Sequence, residues 1–302
     1  MKFNSVKYGA IDIGSNAVRL LIATVNKYGN NEPRFKKTSL VRVPIRLGQD
    51  VFTEGSISER NINRMVDSMK SYQLLMDVHG VTTYKAYATS AMRDADNGTQ
   101  VVEQIKSRTG IEIEIIDGSH EAAIIAMTDL HSFIEENKVY LYVDVGGGST
   151  EFTLFANGVA VESRSFKIGT VRLLNDMVDS DLWKEAEEWV KNVTQPFPYI
   201  DLIGSGGNIN NIFKTSGKAY GKPLSYFHIT SYYDQLQSYS YEERIYKLGL
   251  NQDRADVIIP ACRIYLRAMK WSQSKQIYVP KIGLSDGIIK SIYNTENDMV
   301  NF

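Results

Sequence analysis

Two short stretches end an apolar run with a carboxylate and follow it at once with glycine: Asp12-Ile13-Gly14-Ser15-Asn16 and Asp144-Val145-Gly146-Gly147-Gly148-Ser149. Glycine costs about 0.5–1 kcal/mol relative to alanine inside regular structure, so three in succession mark a backbone conformation, or a close approach, that side chains would block. A tight turn whose successive N–H groups point into one concavity binds phosphate oxygens, and absent β-carbons let those oxygens reach the backbone. An aspartate beside such a turn repels phosphate by itself. It can, however, hold Mg²⁺ or another divalent cation, whose charge neutralises the phosphate. Asp12 and Asp144 are therefore candidate metal anchors, with the glycines as a phosphate cradle. Taken singly, either stretch also fits an ordinary hairpin turn with an exposed aspartate; the pairing favours a site.

Such turns need strands to aim them. The runs YGAIDI (8–13), VRLLIATV (18–25) and LVRVPIRL (40–47) are β-rich and separated by Gly, Asn and Pro signals, which predicts a three-stranded meander. Ile62, Met65, Val66, Met69, Tyr72 and Met76 recur at helical spacing over 57–78, behind a capping-box pattern at Ser56 and Glu59. TTYKAYAT alternates as a strand, 99–109 reads as a helix closed by Gly110, IEIEII (111–116) alternates again, and a helix follows from about Ser119. The second half restarts the programme. YLYVDV (140–145), TEFTLF (150–155) and VAVESRSF (159–166) form another trio, with Asn157-Gly158 as the hairpin signal. Aligned on the two turns, acid meets acid and glycine meets glycine, as in a duplicated domain. The remainder reads as helices over 169–178, 181–193, 207–216, 230–248 with a break, 253–272 and 284–294. One short strand, YIDLIGSGG (199–207), ends in a third glycine turn.

Length and composition agree with two cores: 302 residues exceed the size at which one hydrophobic core stops growing, and 43% are apolar. A formal charge of −1 removes the bulk electrostatic footprint of a nucleic-acid binder, so any polyanion must be met by a local basic cleft. The single cysteine, Cys262, sits in an apolar helical pattern and suits a buried thiol in a reducing compartment. Neither a secretory leader pattern nor a run of about eighteen apolar residues is present, so a cytoplasmic chain off the membrane is expected.

In order along the chain, AIDIGSN, YATSAMRDADNG, IEIIDGSHEA, YVDVGGGSTEF, FKIGTVRL, IGSGGNINNI and IGLSDGIIKSIY resemble the motifs of the exopolyphosphatase and guanosine pentaphosphate phosphohydrolase family, within the actin and sugar-kinase superfamily. The resemblance implies an α/β fold of duplicated actin-like (ribonuclease H-like) domains. Each is a mixed β-sheet flanked by helices, with the active site in an interdomain cleft. The domains are expected at 1–125 and 126–302, with the helix from about 284 able to pack back on the first. The implied reaction is metal-dependent release of terminal phosphate from inorganic polyphosphate or guanosine pentaphosphate, and a homodimer is compatible with it.

Carried over by position, Glu121 matches the glutamate that orients or activates the attacking water, a role that needs a charged carboxylate in reach of that water. Arg93 matches a phosphate-facing arginine whose fork can clamp two oxygens. Gly146, Gly147, Gly148 and Ser149 are implied to hold phosphates. Gly14, with Ser15 and Asn16 as donors, is implied to do so from the other domain, and Asp144 to hold the metal. Glu151 either joins the metal shell or is an outward strand residue. Gly204, Ser205, Gly206, Gly207 and Asn208 form the third turn, for more distant phosphates or a nucleotide. Family members commonly carry a second glutamate where this chain has His120, which fits a solvated first-turn histidine and puts an accessory metal role at that position in question. His79, His131 and His228 show no zinc-ligand spacing, and Trp183 and Trp189 read as packing. Because longer relatives append helical regions, a chain of this length is expected to favour short polyphosphate or guanosine pentaphosphate. Two other classes stay open: a sugar-kinase-type phosphotransferase, and a catalytically weak polyphosphate or alarmone sensor.

Overall fold

The computed structural model describes residues 3–128, 130, 135 and 137–298; His131 lies outside them. The first half of the chain forms β1 (Phe3–Ile13), β2 (Val18–Tyr28), β3 (Arg34–Val43), α1 (Leu47–Glu54), α2 (Glu59–His79), β4 (Thr83–Ala88), α3 (Ser90–Asp94), α4 (Gly98–Thr109), β5 (Glu114–Ile115) and α5 (Gly118–Ala126). The second half continues with β6 (Tyr140–Val145), β7 (Thr150–Ala156), β8 (Val159–Phe166), α6 (Thr170–Leu174), α7 (Ser180–Thr194), β9 (Asp201–Ser205), α8 (Gly207–Thr215) and β10 (Leu224–Ser225). It closes with α9 (Tyr226–Gln237), α10 (Tyr241–Tyr246), α11 (Gln252–Ala255), α12 (Ile258–Trp271), β11 (Gln276–Tyr278) and α13 (Leu284–Asp298). Two compact units result, Met1–Thr128 with Leu284–Phe302, and Asp129–Gly283.

The first unit holds a five-stranded sheet in the order β3-β2-β1-β4-β5. Its meander is antiparallel, while β4 joins β1, and β5 joins β4, in parallel. From Tyr8 to Ile13 every residue of β1 is buried, as expected for a central strand with both faces covered. On one face lies α2. A Cβ at Gly9 would stand 2.8 Å from Met76 Sδ, so the missing side chain lets the helix close on the strand. Tyr72 Oη donates to the Val18 carbonyl at 3.0 Å. The α2 cap is Ser58, whose hydroxyl accepts from the Asn61 amide, rather than Ser56. α13 belongs to this unit: Ile288, Ile289 and Ile292 are buried, and Tyr8 Oη and Thr83 Oγ1 both donate to the Glu296 carboxylate.

The second unit holds a six-stranded sheet, β10-β11-β9-β6-β7-β8. Its first strands repeat the same plan, with β8-β7-β6 as the antiparallel meander and β9 and β11 added in parallel. Asn157 and Gly158 take φ of 52° and 77°, the two positive values that the hairpin signal between β7 and β8 requires. Trp189 packs its ring 6.2 Å from Phe152 and 6.0 Å from Phe166, while Trp183 lies 5.8 Å from Trp271, so both tryptophans are core residues. Cys262 is fully buried on α12.

Several elements differ from the sequence expectation, among them short helices α1 and α3, which it did not contain. The third strand occupies Arg34–Val43 and stops before Pro44, which has no N–H to give the ladder. Of the alternating run 111–116, only Glu114–Ile115 pairs, at the sheet edge. β10 and β11 were not anticipated, because at two and three residues they are too short to show a period.

Candidate active site

In the first unit, β1, β4 and β5 run parallel, and their carboxyl ends are aligned through the pairs Ile13–Ala88 and Ala88–Ile115. Open α/β sheets gather ligand-binding groups at such ends. Asp12 and the Gly14-Ser15-Asn16 turn end β1, Ser90 and Arg93 follow β4, and Glu121 follows β5. Ser15 Oγ lies 2.9 Å from Ser90 Oγ, both buried. Half-buried Arg93 donates from Nη1 to the Ile116 carbonyl at 2.7 Å, tying it to the segment that leads into Glu121. Glu121 occupies the first turn of α5 and is only 9% exposed, where the helix dipole favours its charge. Asp117 caps that helix by accepting from the His120 amide at 2.7 Å, and the Ser119 hydroxyl, then that amide, hold its carboxyl below the usual range. His120 is exposed, its ring 5.7 Å from that of Tyr87, in keeping with a solvated first-turn residue.

Asp12 is buried, and its Oδ2 accepts from Arg19 Nη1 at 2.7 Å. The two are cross-strand partners in the β1–β2 register. Asp12, expected as a metal anchor, thus carries an ion pair with Arg19 inside its own unit. Arg19 was not singled out from the sequence, although its place seven residues after Asp12 across a short turn puts it opposite that residue.

In the second unit the equivalent pair is acid against acid. Asp144 stands across from Glu151 in the β6–β7 register and beside Ser205 in the β6–β9 register. Glu151 is 3% exposed, so it is no outward strand residue; its Oε1 accepts from Ser149 Oγ at 2.6 Å and from Ser165 Oγ at 2.8 Å. The third glycine turn reaches the same place. Gly206 has φ 112°, and a Cβ there would meet the Val145 carbonyl at 2.9 Å and Asp144 Oδ1 at 3.5 Å. Only glycine lets that backbone pass so close. Gly207 then opens α8, whose first amides have no intrahelical acceptor.

None of Gly146, Gly147 and Gly148 has a left-handed φ. Close approach explains them instead. The Gly146 carbonyl accepts from Thr170 N at 3.0 Å, that of Gly147 from Val171 N at 2.8 Å, and that of Gly148 from Arg172 Nε at 2.8 Å. A Cβ at Gly169 would fall 2.3 Å from the Gly147 oxygen, so α6 docks on the loop through its own missing side chain. With the carbonyls turned to α6, the amides of Gly147, Gly148 and Ser149 donate to no acceptor among the described residues, although Gly148 and Ser149 are buried. Turn N–H groups left without a protein acceptor can be met by the oxygens of an anion.

The first unit docks its turn the same way: the Ser15 carbonyl accepts from Gly48 N at 2.7 Å and that of Asn16 from Arg46 N at 3.0 Å. A Cβ at Gly48 would lie 2.9 Å from Ser15 Cβ. The docking segments, Ile45-Arg46-Leu47-Gly48 and Phe166-Lys167-Ile168-Gly169, share an apolar–basic–apolar–Gly pattern that was legible in the sequence and went unread.

No group of three or more His, Cys, Asp and Glu side chains fit to hold a metal occurs among the described residues. Mg²⁺ does not need one, because it is usually bound through one or two carboxylates together with water and substrate phosphates. The Asp144–Glu151 pair fits that donor set.

Two units that repeat one meander-plus-parallel-strand plan, each with a helix docked on its first turn, define a duplicated actin-like α/β fold. The chain belongs to the Ppx/GppA phosphatase family, which it matches over residues 34–296. A crystal structure of an exopolyphosphatase from Cytophaga hutchinsonii superposes with a TM-score of 0.82 at 25% identity, covering 96% of this chain and 98% of that one. The bifunctional 3-dehydroquinate synthase/phosphatase of Fusobacterium nucleatum is 35% identical over 201 residues, 62% of this chain and 30% of that protein. Exopolyphosphatase 2 of Mycobacterium tuberculosis is 32% identical over 183 residues, 58% of this chain and 56% of the other. The matches thus span about half the length of that exopolyphosphatase, and a smaller share of the Fusobacterium protein. No helix among the described residues is long and apolar enough to cross a membrane.

Proposed function

We propose that the chain is a divalent-cation-dependent phosphoanhydride hydrolase that releases terminal phosphate from inorganic polyphosphate or from guanosine pentaphosphate. The observation that carries this reading is the second unit's pairing of turn amides that donate to no acceptor among the described residues, at Gly148 and Ser149, with the facing carboxylates of Asp144 and Glu151. Amides alone would suit any anion. Amides beside two carboxylates suit an anion that arrives with a cation, as phosphoanhydrides do.

In this reading the Gly147, Gly148 and Ser149 amides hold phosphoryl oxygens, and the Gly206-Gly207 turn holds oxygens further along the substrate. Mg²⁺ held by Asp144 and Glu151 would neutralise phosphate charge as it develops on the leaving oxygen. Arg93 grips terminal oxygens through its fork, and Arg19 brings a fixed positive charge to the Gly14-Ser15-Asn16 turn while Asp12 keeps it in place. Glu121 orients a water and takes its proton; the water oxygen bonds to the terminal phosphorus, the bridging P–O bond breaks, and the shortened chain leaves with the bond's electrons. Phosphate release from short polyphosphate, long polyphosphate and guanosine pentaphosphate, each with Mg²⁺ and with excess chelator, tests the proposal. Release from at least one substrate, abolished by chelator, is expected. Absence of release from all three overturns it.

A further inference from the structure

Tyr265 is fully buried on α12, and among that helix's buried side chains it carries the sole hydroxyl, the rest being Ile258, Ala261, Cys262, Ile264, Ala268, Met269 and Trp271. That hydroxyl sits where two strands part. The parallel pairing of β6 and β9 ends at Asp144 and Ser205; beyond it β6 turns into Gly146–Ser149 and β9 into the Gly206-Gly207 turn. The Tyr265 hydroxyl donates to the Ser205 carbonyl at the end of β9 and lies beside the Val145 amide at the end of β6, so it stands at the split. A Cβ at Gly206 would be 3.5 Å from the phenol oxygen and 3.5 Å from Asp144 Oδ1, which puts hydroxyl, glycine turn and carboxylate side by side. Burial, then the nearby Asp144 charge, pushes the phenol well above its ordinary pKa, so it remains a donor.

We infer that Tyr265 is a positioning residue that fixes the spacing of the two glycine turns and, through them, the placement of the Asp144 carboxylate. The inference rests on the hydrolase reading of this site. A core tyrosine that merely fills space would be replaceable by phenylalanine, since its neighbours on α12 are apolar. The hydroxyl matters because the carboxyl ends of adjacent parallel strands must diverge to admit a ligand. A group that bonds to one strand and lies against the other at the point of divergence sets how far they open. Removing it takes a donor from the Ser205 carbonyl in a dry place, and that loss favours rearrangement of the turn.

The experiment compares wild type with Tyr265→Phe, which keeps the ring. Thermal melting checks the fold, phosphate release is titrated with Mg²⁺, and amide hydrogen exchange is followed in peptides covering 144–149 and 204–208. Ile264→Val, a small cavity on the same helix, serves as a control for general loosening. The expected result for Tyr265→Phe is a folded protein with kcat lowered about tenfold, half-saturating Mg²⁺ raised several-fold and faster exchange in both segments; the control keeps the Mg²⁺ dependence of wild type. Wild-type Mg²⁺ dependence, kcat and exchange in Tyr265→Phe would overturn the inference. If wild type itself releases no phosphate, the hydrolase reading falls. Exchange in the two segments then decides the structural claim on its own, unchanged rates counting against it.

Discussion

Asp144 faces Glu151 across the β6–β7 ladder, acid to acid, at the position where the first unit sets Asp12 against Arg19. The duplicated frame has thus kept one acid in both copies and inverted the charge of its neighbour. One copy pairs its acid with a base, and the other sets two carboxylates across from each other.

Asp144→Asn is therefore expected to remove most Mg²⁺-dependent turnover while leaving the fold intact, since the amide is nearly isosteric. Asp12→Asn acts differently: it removes the Arg19–Asp12 ion pair at the Gly14-Ser15-Asn16 turn, so it should raise KM without changing the Mg²⁺ dependence. Phosphate release titrated with Mg²⁺ for both variants, beside circular dichroism, distinguishes them. Equal Mg²⁺ curves for wild type and Asp144→Asn would remove Asp144 from the cation site.

Gly169→Ala places a methyl group 2.3 Å from the Gly147 carbonyl and 2.4 Å from the Gly148 carbonyl carbon, backbone atoms that cannot swing aside as a side chain would. Overpacking of this kind costs about 1–3 kcal/mol, so urea denaturation should show a loss of that order together with weaker substrate binding. A variant with unchanged midpoint and KM would mean that α6 does not set the loop.

Glu121→Gln removes a charge that repels a phosphorylated ligand, so its affinity for polyphosphate or guanosine pentaphosphate should be equal or tighter. The water meanwhile loses its base, and kcat should fall about 10²–10⁴-fold. Single-turnover phosphate release beside equilibrium binding measures the two separately. Loss of affinity in proportion to rate would assign Glu121 to the fold or the cation instead.

Burial pushes the Cys262 thiol up from 9.0 to about 12. The native protein should resist a thiol-specific disulfide reagent at pH 8 and react stoichiometrically once unfolded. Because the folded pKa lies above the unfolded one, this group's contribution to stability is fully present below about pH 9 and is lost as pH rises toward 12. Urea midpoints of wild type and Cys262→Ala across pH 8–10.5 read that slope.

Much of this arrangement was legible in the residues. The two acid–glycine turns and the repeated strand trio announced the duplication because each strand is long enough to show its period, and Asn157-Gly158 named its own turn. What escaped was long-range or short. Glu151 read as ambiguous, since alternation cannot say which side of β7 is covered, and burial on both faces was needed to decide it. Arg19 and Tyr265 carry no local signal: one acts through strand register, the other through a helix that meets the sheet 120 residues after Val145. The docking glycines Gly48 and Gly169 did have a signal in their shared four-residue pattern. It was hidden by unequal spacing from the turns that they support.

The return of α13 to the first unit also sets an order of assembly. A chain made from its N-terminus completes the whole of 129–283 before the helix that covers α5 and β1 exists, and domains fold as their residues emerge. Gly287, whose Cβ would fall 2.2 Å from the Ile124 carbonyl, closes onto the helix that carries Glu121. During synthesis the second unit can therefore be finished while the first still waits with an open flank. A chain that stops near 283 has a complete second unit and Glu121 on an uncovered helix, whereas one that stops earlier has neither unit complete.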